Sequence, residues 1–173
     1  MNSQGRAARV LISYAHEYDI SGHRHRALEL AQSLRIRGVE ALIDQFVEHD
    51  PPPTWPRWMI NEIKLADFVL CLASPGYREC VEGRGNPAVG RGVRWEGAVI
   101  TEELYRRSPT AQDKFIAVVL DKCSVEDIPD ILLPLGRSHY LWPRDDEDLY
   151  RRLTGQPRVL PAPLGQIVQL PTR

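Results

Sequence analysis

The sequence has few cysteines, no long apolar run and no targeting segment. Its 173 residues contain three cysteines, Cys71, Cys80 and Cys123, and no CxxC pair. This pattern predicts neither a disulfide framework nor a zinc site, and it is typical of proteins in the reducing cytoplasm. No apolar run approaches the ~20 residues that a membrane helix needs, and the N-terminus leaves no room for a signal peptide. We therefore expect a cytoplasmic protein without membrane contact.

The sequence also lacks an excess of charge of either sign. It has 22 Lys and Arg residues against 23 Asp and Glu residues, for a formal net charge of -1. A nucleic-acid-binding domain would show a basic excess, so we expect no nucleic acid partner. The content of 43% hydrophobic and 26% charged residues is that of an ordinary soluble globular protein.

Common nucleotide and metal motifs are missing as well. Neither GxGxxG nor GxxxxGK[ST] occurs, which excludes an ordinary Rossmann dehydrogenase and a P-loop enzyme. The histidines match no compact ligand set, so we predict no metal site. The glycine-rich segment 83–92 is either a flexible connection or an anion-binding loop.

Short apolar runs alternate with amphipathic stretches, which predicts a parallel sheet covered by helices. The predicted strands cover residues 10–12, 39–44, 68–73, 115–120 and 139–142. The predicted helices cover residues 24–37, 57–65, 93–107 and 147–153. Between the second strand and second helix, the proline-rich segment 50–56 predicts a stiff, exposed and irregular loop.

We predict one domain over residues 1–157 and a proline-rich tail or linker over residues 158–173. From Gln156 onward the sequence has four prolines and no acidic residue, and its amphipathic pattern stops. Such a segment is typical of a linker, so we expect this chain to be one module of a longer polypeptide.

Three features point to a crevice at the carboxyl ends of the strands, where open parallel sheets bind ligands. The polar loop that begins at Ser13 follows the first strand, although it could equally be a solvated turn. Glu96 lies in the first turn of the 93–107 helix, where a carboxylate is favoured by the helix dipole whether or not it has a catalytic role. Trp55 lies between prolines and could stack on a base or pack on another protein.

Five segments together resemble a bacterial SEFIR domain, a branch of the Toll/interleukin receptor (TIR) superfamily. They are VLISYAH at 10–16, VEALIDQ at 39–45, PPPTWPRWMINEIKLADFVLCLAS at 51–74, GVRWEGAVI at 92–100 and LYRRLTGQP at 149–157. The resemblance covers residues 10 to about 157. It implies an α/β, flavodoxin-like three-layer fold, with five parallel strands in the order 2-1-3-4-5 and helices on both faces.

The resemblance also implies an activity. Many TIR domains cleave the nicotinamide bond of NAD+ with a glutamate in the helix after the third strand, a position that falls on Glu96. NAD+ is then a substrate, and no prosthetic group is expected. The family pattern is W-x-x-x-E, whereas Trp95 and Glu96 are adjacent here, and Glu102 and Glu103 are later alternatives. The residues expected to contact NAD+ are Ser13, Tyr14, Ala15, His16, Asp44, Trp55, Arg57 and Trp95.

Loop 46–56 corresponds to the BB loop, the assembly loop of TIR domains, so the resemblance implies self-association through this loop. A linked sensor domain or partner and a role in bacterial antiphage defence follow as expectations. The alternative is a non-catalytic adaptor that signals through homotypic protein–protein contacts.

Overall fold

The computed structural model describes residues 6–16, 22–84, 113–133 and 139–171. Within these ranges the strands are β1 (Arg9–Ser13), β2 (Glu40–Leu42), β3 (Phe68–Ala73), β4 (Phe115–Leu120) and β5 (Tyr140–Trp142). All neighbouring strands pair in parallel, in the order β2-β1-β3-β4-β5. The predicted sheet and its strand order are confirmed.

Four α-helices lie within the described ranges and flank the sheet. They are α1 (His23–Ile36), α2 (Trp55–Leu65), α3 (Pro75–Val81) and α4 (Asp146–Thr154). Helix α1 buries Ala27, Leu30, Ala31 and Leu34 along one side, as the apolar spacing predicts. It is followed by Gly38 at a φ of 86°, a left-handed conformation that favours a residue without a Cβ.

The structure corrects two predicted boundaries. Helix α2 begins at Trp55, so the end of the proline-rich segment is helical. Pro56 is tolerated because it lies in the first turn, where a backbone N–H has no helical partner. Strand β2 spans only three residues, and Asp44 begins a 3₁₀ turn (Asp44–Phe46) instead of ending the strand.

Helix α3 was not predicted from the sequence. Its signal is short: Ser74 caps the helix by accepting a hydrogen bond from the Tyr77 backbone N–H at 3.1 Å, and Pro75 follows in the first turn. With only seven residues, the helix is too short to show a clear apolar period.

Two apolar layers pack on the two faces of the sheet. One joins Val10, Ile12 and Tyr14 of the β1 region to α1 and α4. The other joins Leu11 and Ala15 to α2 and α3. Because side chains alternate along a strand, neighbouring residues at the end of β1 face opposite layers.

Several sequence predictions lie outside the described residues: the 93–107 helix, most of the 83–92 segment, Trp95, Glu96, Glu102 and Glu103. Residues 158–171 are exposed and contain no helix or strand. The domain boundary at residue 157 stays a prediction. In the described ranges, no helix combines the length and apolar character that crossing a bilayer requires.

Candidate functional site

The candidate site lies at the carboxyl ends of β1 and β2, next to the end of β3. From β1 the chain forms β2 on one side and then β3 on the other, so the strand order reverses between β1 and β3. Ligands of open α/β sheets bind at such a reversal. Tyr14 and His16 follow β1 at this edge, and Asp44 follows β2.

His16 is held at the rim of this edge by two neighbours. Its Nε2 lies 2.5 Å from the Asp44 Oδ2, and its ring stacks on Tyr14 with 4.7 Å between ring centroids. The His16 side chain is 43% exposed, whereas that of Asp44 is only 13% exposed. The imidazole is therefore oriented by the fold while it remains accessible to a ligand.

Tyr14 is the buried support of this group. Its hydroxyl accepts a hydrogen bond from the Gln45 Nε2 at 3.0 Å. Burial, followed by the neighbouring Asp44 carboxylate, raises the pKa of the Tyr14 hydroxyl well above its usual range. Tyr14 consequently stays neutral and holds its ring beneath His16 as an uncharged platform.

The segment after β2 is tied to α1 and β1. The Gln45 Nε2 also donates to the Arg24 backbone carbonyl at 3.1 Å. The Arg24 guanidinium contacts both Glu48 carboxylate oxygens, at 2.5 and 2.6 Å. These bonds fix the beginning of the loop that leads to α2, beside His16.

Ser13 and Ala15 point to the opposite face of the sheet. The Ser13 Oγ lies 3.0 Å from the Tyr77 hydroxyl of α3, and both side chains are buried. Ala15 packs in the layer beneath α2 and α3. Ser13 and Ala15 could therefore contact a ligand at this edge only through their backbone groups.

Trp55 and Arg57 lie in the first turn of α2. Trp55 is 36% exposed and meets Trp58 edge to face, with 5.6 Å between ring centroids. Trp58 packs on the core, so it holds the outer indole at the surface. Arg57 is exposed.

No motif in the sequence points to Gln45, His23 or Cys123 at this edge. His23 is fully buried at the start of α1, with its Nδ1 3.6 Å from the Cys123 Sγ and its ring centroid 6.3 Å from that of Tyr14. Burial, then the Asp127 charge, raises the pKa of the Cys123 thiol, and Arg26 partly opposes this. The only sequence signal was the position of each residue next to a predicted strand or helix end.

A cavity of about 210 Å³ lies elsewhere, near the amino end of β4. Phe115, Ile116, Ile128 and Leu132 contribute to its apolar wall, and Tyr140 and Arg152 add polar groups. Among the described residues, no cluster of three His, Cys, Asp or Glu side chains could hold a metal ion. Within those residues, the groups predicted to contact NAD+ that come together are Tyr14, His16 and Asp44.

Solved structures share this fold. The crystal structure of a prokaryotic SEFIR domain is 26% identical, with a TM-score of 0.58 over 92% of this chain and 100% of that chain. A metazoan TIR-STING receptor from C. gigas is 19% identical, with a TM-score of 0.55 over 86% of this chain and 41% of that chain. The SEFIR domain of IL-17 receptor B is 14% identical, with a TM-score of 0.56 over 87% and 96% of the two chains.

No curated protein matches the sequence. The family model of the SEFIR domain matches residues 8–153, which include all five strands and nearly all of α4. The match covers most of the chain and agrees with the strand order, so this chain belongs to the SEFIR family.

Proposed function

We propose that this SEFIR domain cleaves the bond between nicotinamide and ribose in NAD+ when copies of it assemble. The observation that carries the proposal is the group formed by Tyr14, His16 and Asp44 at the carboxyl edge of the sheet. It presents an oriented and accessible polar ring on a rigid support, as a nucleotide site requires.

NAD+ offers chemical groups that match this edge. An imidazole hydrogen-bonded to a carboxylate can bind a ribose hydroxyl or, when protonated, a phosphate oxygen. An exposed indole can stack on a base or on the nicotinamide ring. His16 supplies the first kind of contact, and Trp55 supplies the second when the assembled loop brings α2 to the substrate.

Glu96 is proposed as the catalytic carboxylate. As the C–N bond lengthens, its electron pair moves to the nicotinamide nitrogen and positive charge develops on the ribose ring. A carboxylate next to that ring stabilises the charge. Nicotinamide leaves as a neutral molecule without a general acid. Water, or a hydroxyl of the second ribose of the same molecule, then adds to the cationic ribose carbon and releases its proton, which gives ADP-ribose or a cyclised product.

The test is nicotinamide release from NAD+ by the full chain at high protein concentration, compared with Glu96→Gln. Glu29→Gln is the matched control, because it makes the same change at an exposed position of α1. We expect release by the wild type and the control, and none by Glu96→Gln. Unchanged release by Glu96→Gln would overturn the residue assignment. Assembled wild-type protein that released no nicotinamide would overturn the activity.

A second candidate function is a non-catalytic adaptor that binds other copies of the same domain. The exposed Trp55 at the end of the 46–56 loop favours it, since an aromatic side chain held at the surface suits a protein interface. Light scattering of Trp55→Ala, together with its rate of nicotinamide release, tests whether Trp55 contributes to a protein interface or to NAD+ binding. Loss of assembly would support a loop interface, whereas unchanged assembly and activity would remove Trp55 from both functions.

The proposed cellular role is antiphage defence, with a linked sensor or partner domain that triggers assembly. Its support is the NAD+-depleting chemistry proposed here, which would stop growth of an infected cell. Expression in bacteria exposed to phage should protect the culture, and Glu96→Gln should remove the protection. Protection by the Glu96→Gln protein would favour the adaptor.

A further inference from the structure

The two edge strands of the sheet, β2 and β5, each have a central residue whose backbone points away from the neighbouring strand. In β2 this residue is Ala41: Glu40 donates inward to the Ala8 carbonyl, and alternate residues of a strand face opposite sides. In β5 it is Leu141, whose backbone N–H and carbonyl both bond to Asp145 instead of to β4. Outward-facing groups of this kind are normally open to pairing with another strand.

At the β5 edge, Asp145 forms hydrogen bonds with both outward-facing backbone groups of Leu141. The Leu141 backbone N–H donates to the Asp145 Oδ2 at 2.8 Å. The Asp145 backbone N–H donates in turn to the Leu141 carbonyl at 2.7 Å. An incoming strand would have to displace both bonds to pair with Leu141.

The β2 edge is closed in a similar way, with different groups. The Ala41 carbonyl accepts a hydrogen bond from the Arg35 Nη1 at 2.8 Å. The Ala41 N–H donates to the Val39 carbonyl, also at 2.8 Å. Both edges of the described sheet are therefore satisfied by nearby residues of the same chain.

The same chain carries a segment that could act as an incoming strand. Residues 166–170, Gln-Ile-Val-Gln-Leu, are uncharged and contain no proline or glycine. Ile167, Val168 and Leu170 are 89%, 78% and 82% exposed. Short β-prone segments of this composition pair readily with open strand edges.

The tail leaves the domain near β5. The Arg158 guanidinium lies 2.8 Å from an Asp148 carboxylate oxygen in α4, the helix that directly follows β5. Arg158, Tyr140 and Asp145 also line one shallow depression. The tail therefore starts beside the β5 edge, and its exposed residues 166–170 are available to a second copy because they are not packed on their own domain.

We infer that Asp145 closes the β5 edge against strand addition by residues 166–170 of a second copy. Growth of assemblies by sheet-to-sheet pairing is then suppressed. This inference holds whether the domain is an enzyme or an adaptor.

The test measures the mass distribution of the full chain by size-exclusion chromatography with light scattering. Asp145→Ala removes the side-chain acceptor and should form dimers or larger species at concentrations where the wild type does not. Asp145→Asn keeps an acceptor oxygen and should behave as the wild type. Glu147→Ala, which removes an exposed charge from the same helical turn, is the matched control.

A second substitution identifies the incoming strand. Adding Val168→Lys to Asp145→Ala places a charge in the tail segment and should restore the wild-type distribution. Larger species that persist in the double variant would overturn the assignment of the tail. If Asp145→Ala had the same mass distribution as the wild type, the role of Asp145 in closing the β5 edge would be overturned.

Asp145→Gly covers the case in which the alanine variant fails to fold. Asp145 stands at the N-cap of α4 without a side-chain cap bond, and glycine is accepted at this position. The glycine variant should therefore keep the helix and still expose Leu141. At a concentration where Asp145→Gly is monomeric, amide exchange at Leu141 should be faster in Asp145→Gly than in Asp145→Asn, and equal rates would contradict the inference.

Discussion

The two ends of β1 are built from different interactions. At the amino end, Asp67 accepts hydrogen bonds from the Arg6 guanidinium and from the Arg9 backbone N–H, all at 2.8 Å, and the Arg9 guanidinium lies 2.6 Å from Glu62. At the carboxyl end, Ser13 and Tyr14 make neutral hydrogen bonds to Tyr77 and Gln45, and the accessible His16 is paired with Asp44. The amino end fastens strands together, whereas the carboxyl end holds a ring that a ligand can reach.

This difference teaches that stability and function are separated along the same strand. Replacements at the amino end should lower the free energy of unfolding and leave ligand binding intact. Replacement of the exposed His16 at the carboxyl end should weaken ligand binding and leave the free energy of unfolding nearly unchanged.

Asp67→Ala should lower the free energy of unfolding by about 2 kcal/mol, because it leaves the partly buried Arg9 N–H without its charged acceptor. The exposed Arg6 contributes little to this figure. Glu40→Ala is the control, since its carboxylate is half exposed and lies 3.9 Å from Arg9. Urea unfolding should show a loss below ~0.5 kcal/mol for the control. Equal losses in both variants would contradict the role of Asp67.

Tyr77→Phe should cost about 1 kcal/mol, because Ser13 loses a buried hydrogen-bond partner. Ser13→Ala should cost a similar amount. The double variant should be only slightly less stable than either single variant, since both remove the same bond. Urea unfolding of the four proteins gives the coupling energy, and strictly additive losses would mean that the contact contributes nothing.

His16→Ala should lower the free energy of unfolding by less than ~1 kcal/mol, because the ring is 43% exposed and Asp44 keeps the Gln45 backbone N–H as a donor. In a Glu96→Gln background, which prevents turnover, it should weaken NAD+ binding about tenfold, equivalent to about 1.4 kcal/mol. Titration calorimetry measures both proteins. His25→Ala is the control, because His25 is an exposed histidine on α1. Equal NAD+ affinity in the two histidine variants would remove His16 from the site.

We expect Cys123 of the folded protein to react slowly with a disulfide reagent. Its thiol pKa is raised by burial, so the reactive thiolate is scarcer at pH 8 than in a free cysteine. The rate should rise as the pH increases beyond the usual thiol range near ~8.5. Comparison of Cys123→Ser with the wild type isolates the signal of this thiol, and labelling as fast as that of a free cysteine would contradict its burial.

Sequence patterns predicted the central strands best. The boundaries predicted for β3 and β4 are those observed, because both strands are nearly continuous apolar runs buried on both faces. The edge strands and the start of α2 were placed less accurately. Their boundaries depend on tertiary pairing and on the tolerance of a first helical turn for proline, and neither leaves a periodic signal.

The candidate site was predictable in part. The sequence places Tyr14 and His16 in one polar loop, but it does not show that Tyr14 is buried while His16 is accessible. Nor does it show that Asp44, which follows a different strand, meets His16 at 2.5 Å. Glu96 and Trp95 lie outside the described residues, so their roles stay predictions.

By itself, the sequence determined the α/β class, most of the helices and strands, and the family motifs, because local periodicity and short motifs carry that information. The tertiary structure alone decided which side chains meet at the carboxyl edge and how the two outer strands are closed. Those contacts depend on strand register and on chain segments brought together from distant positions. A one-residue change in register would send each side chain to the other face of the sheet.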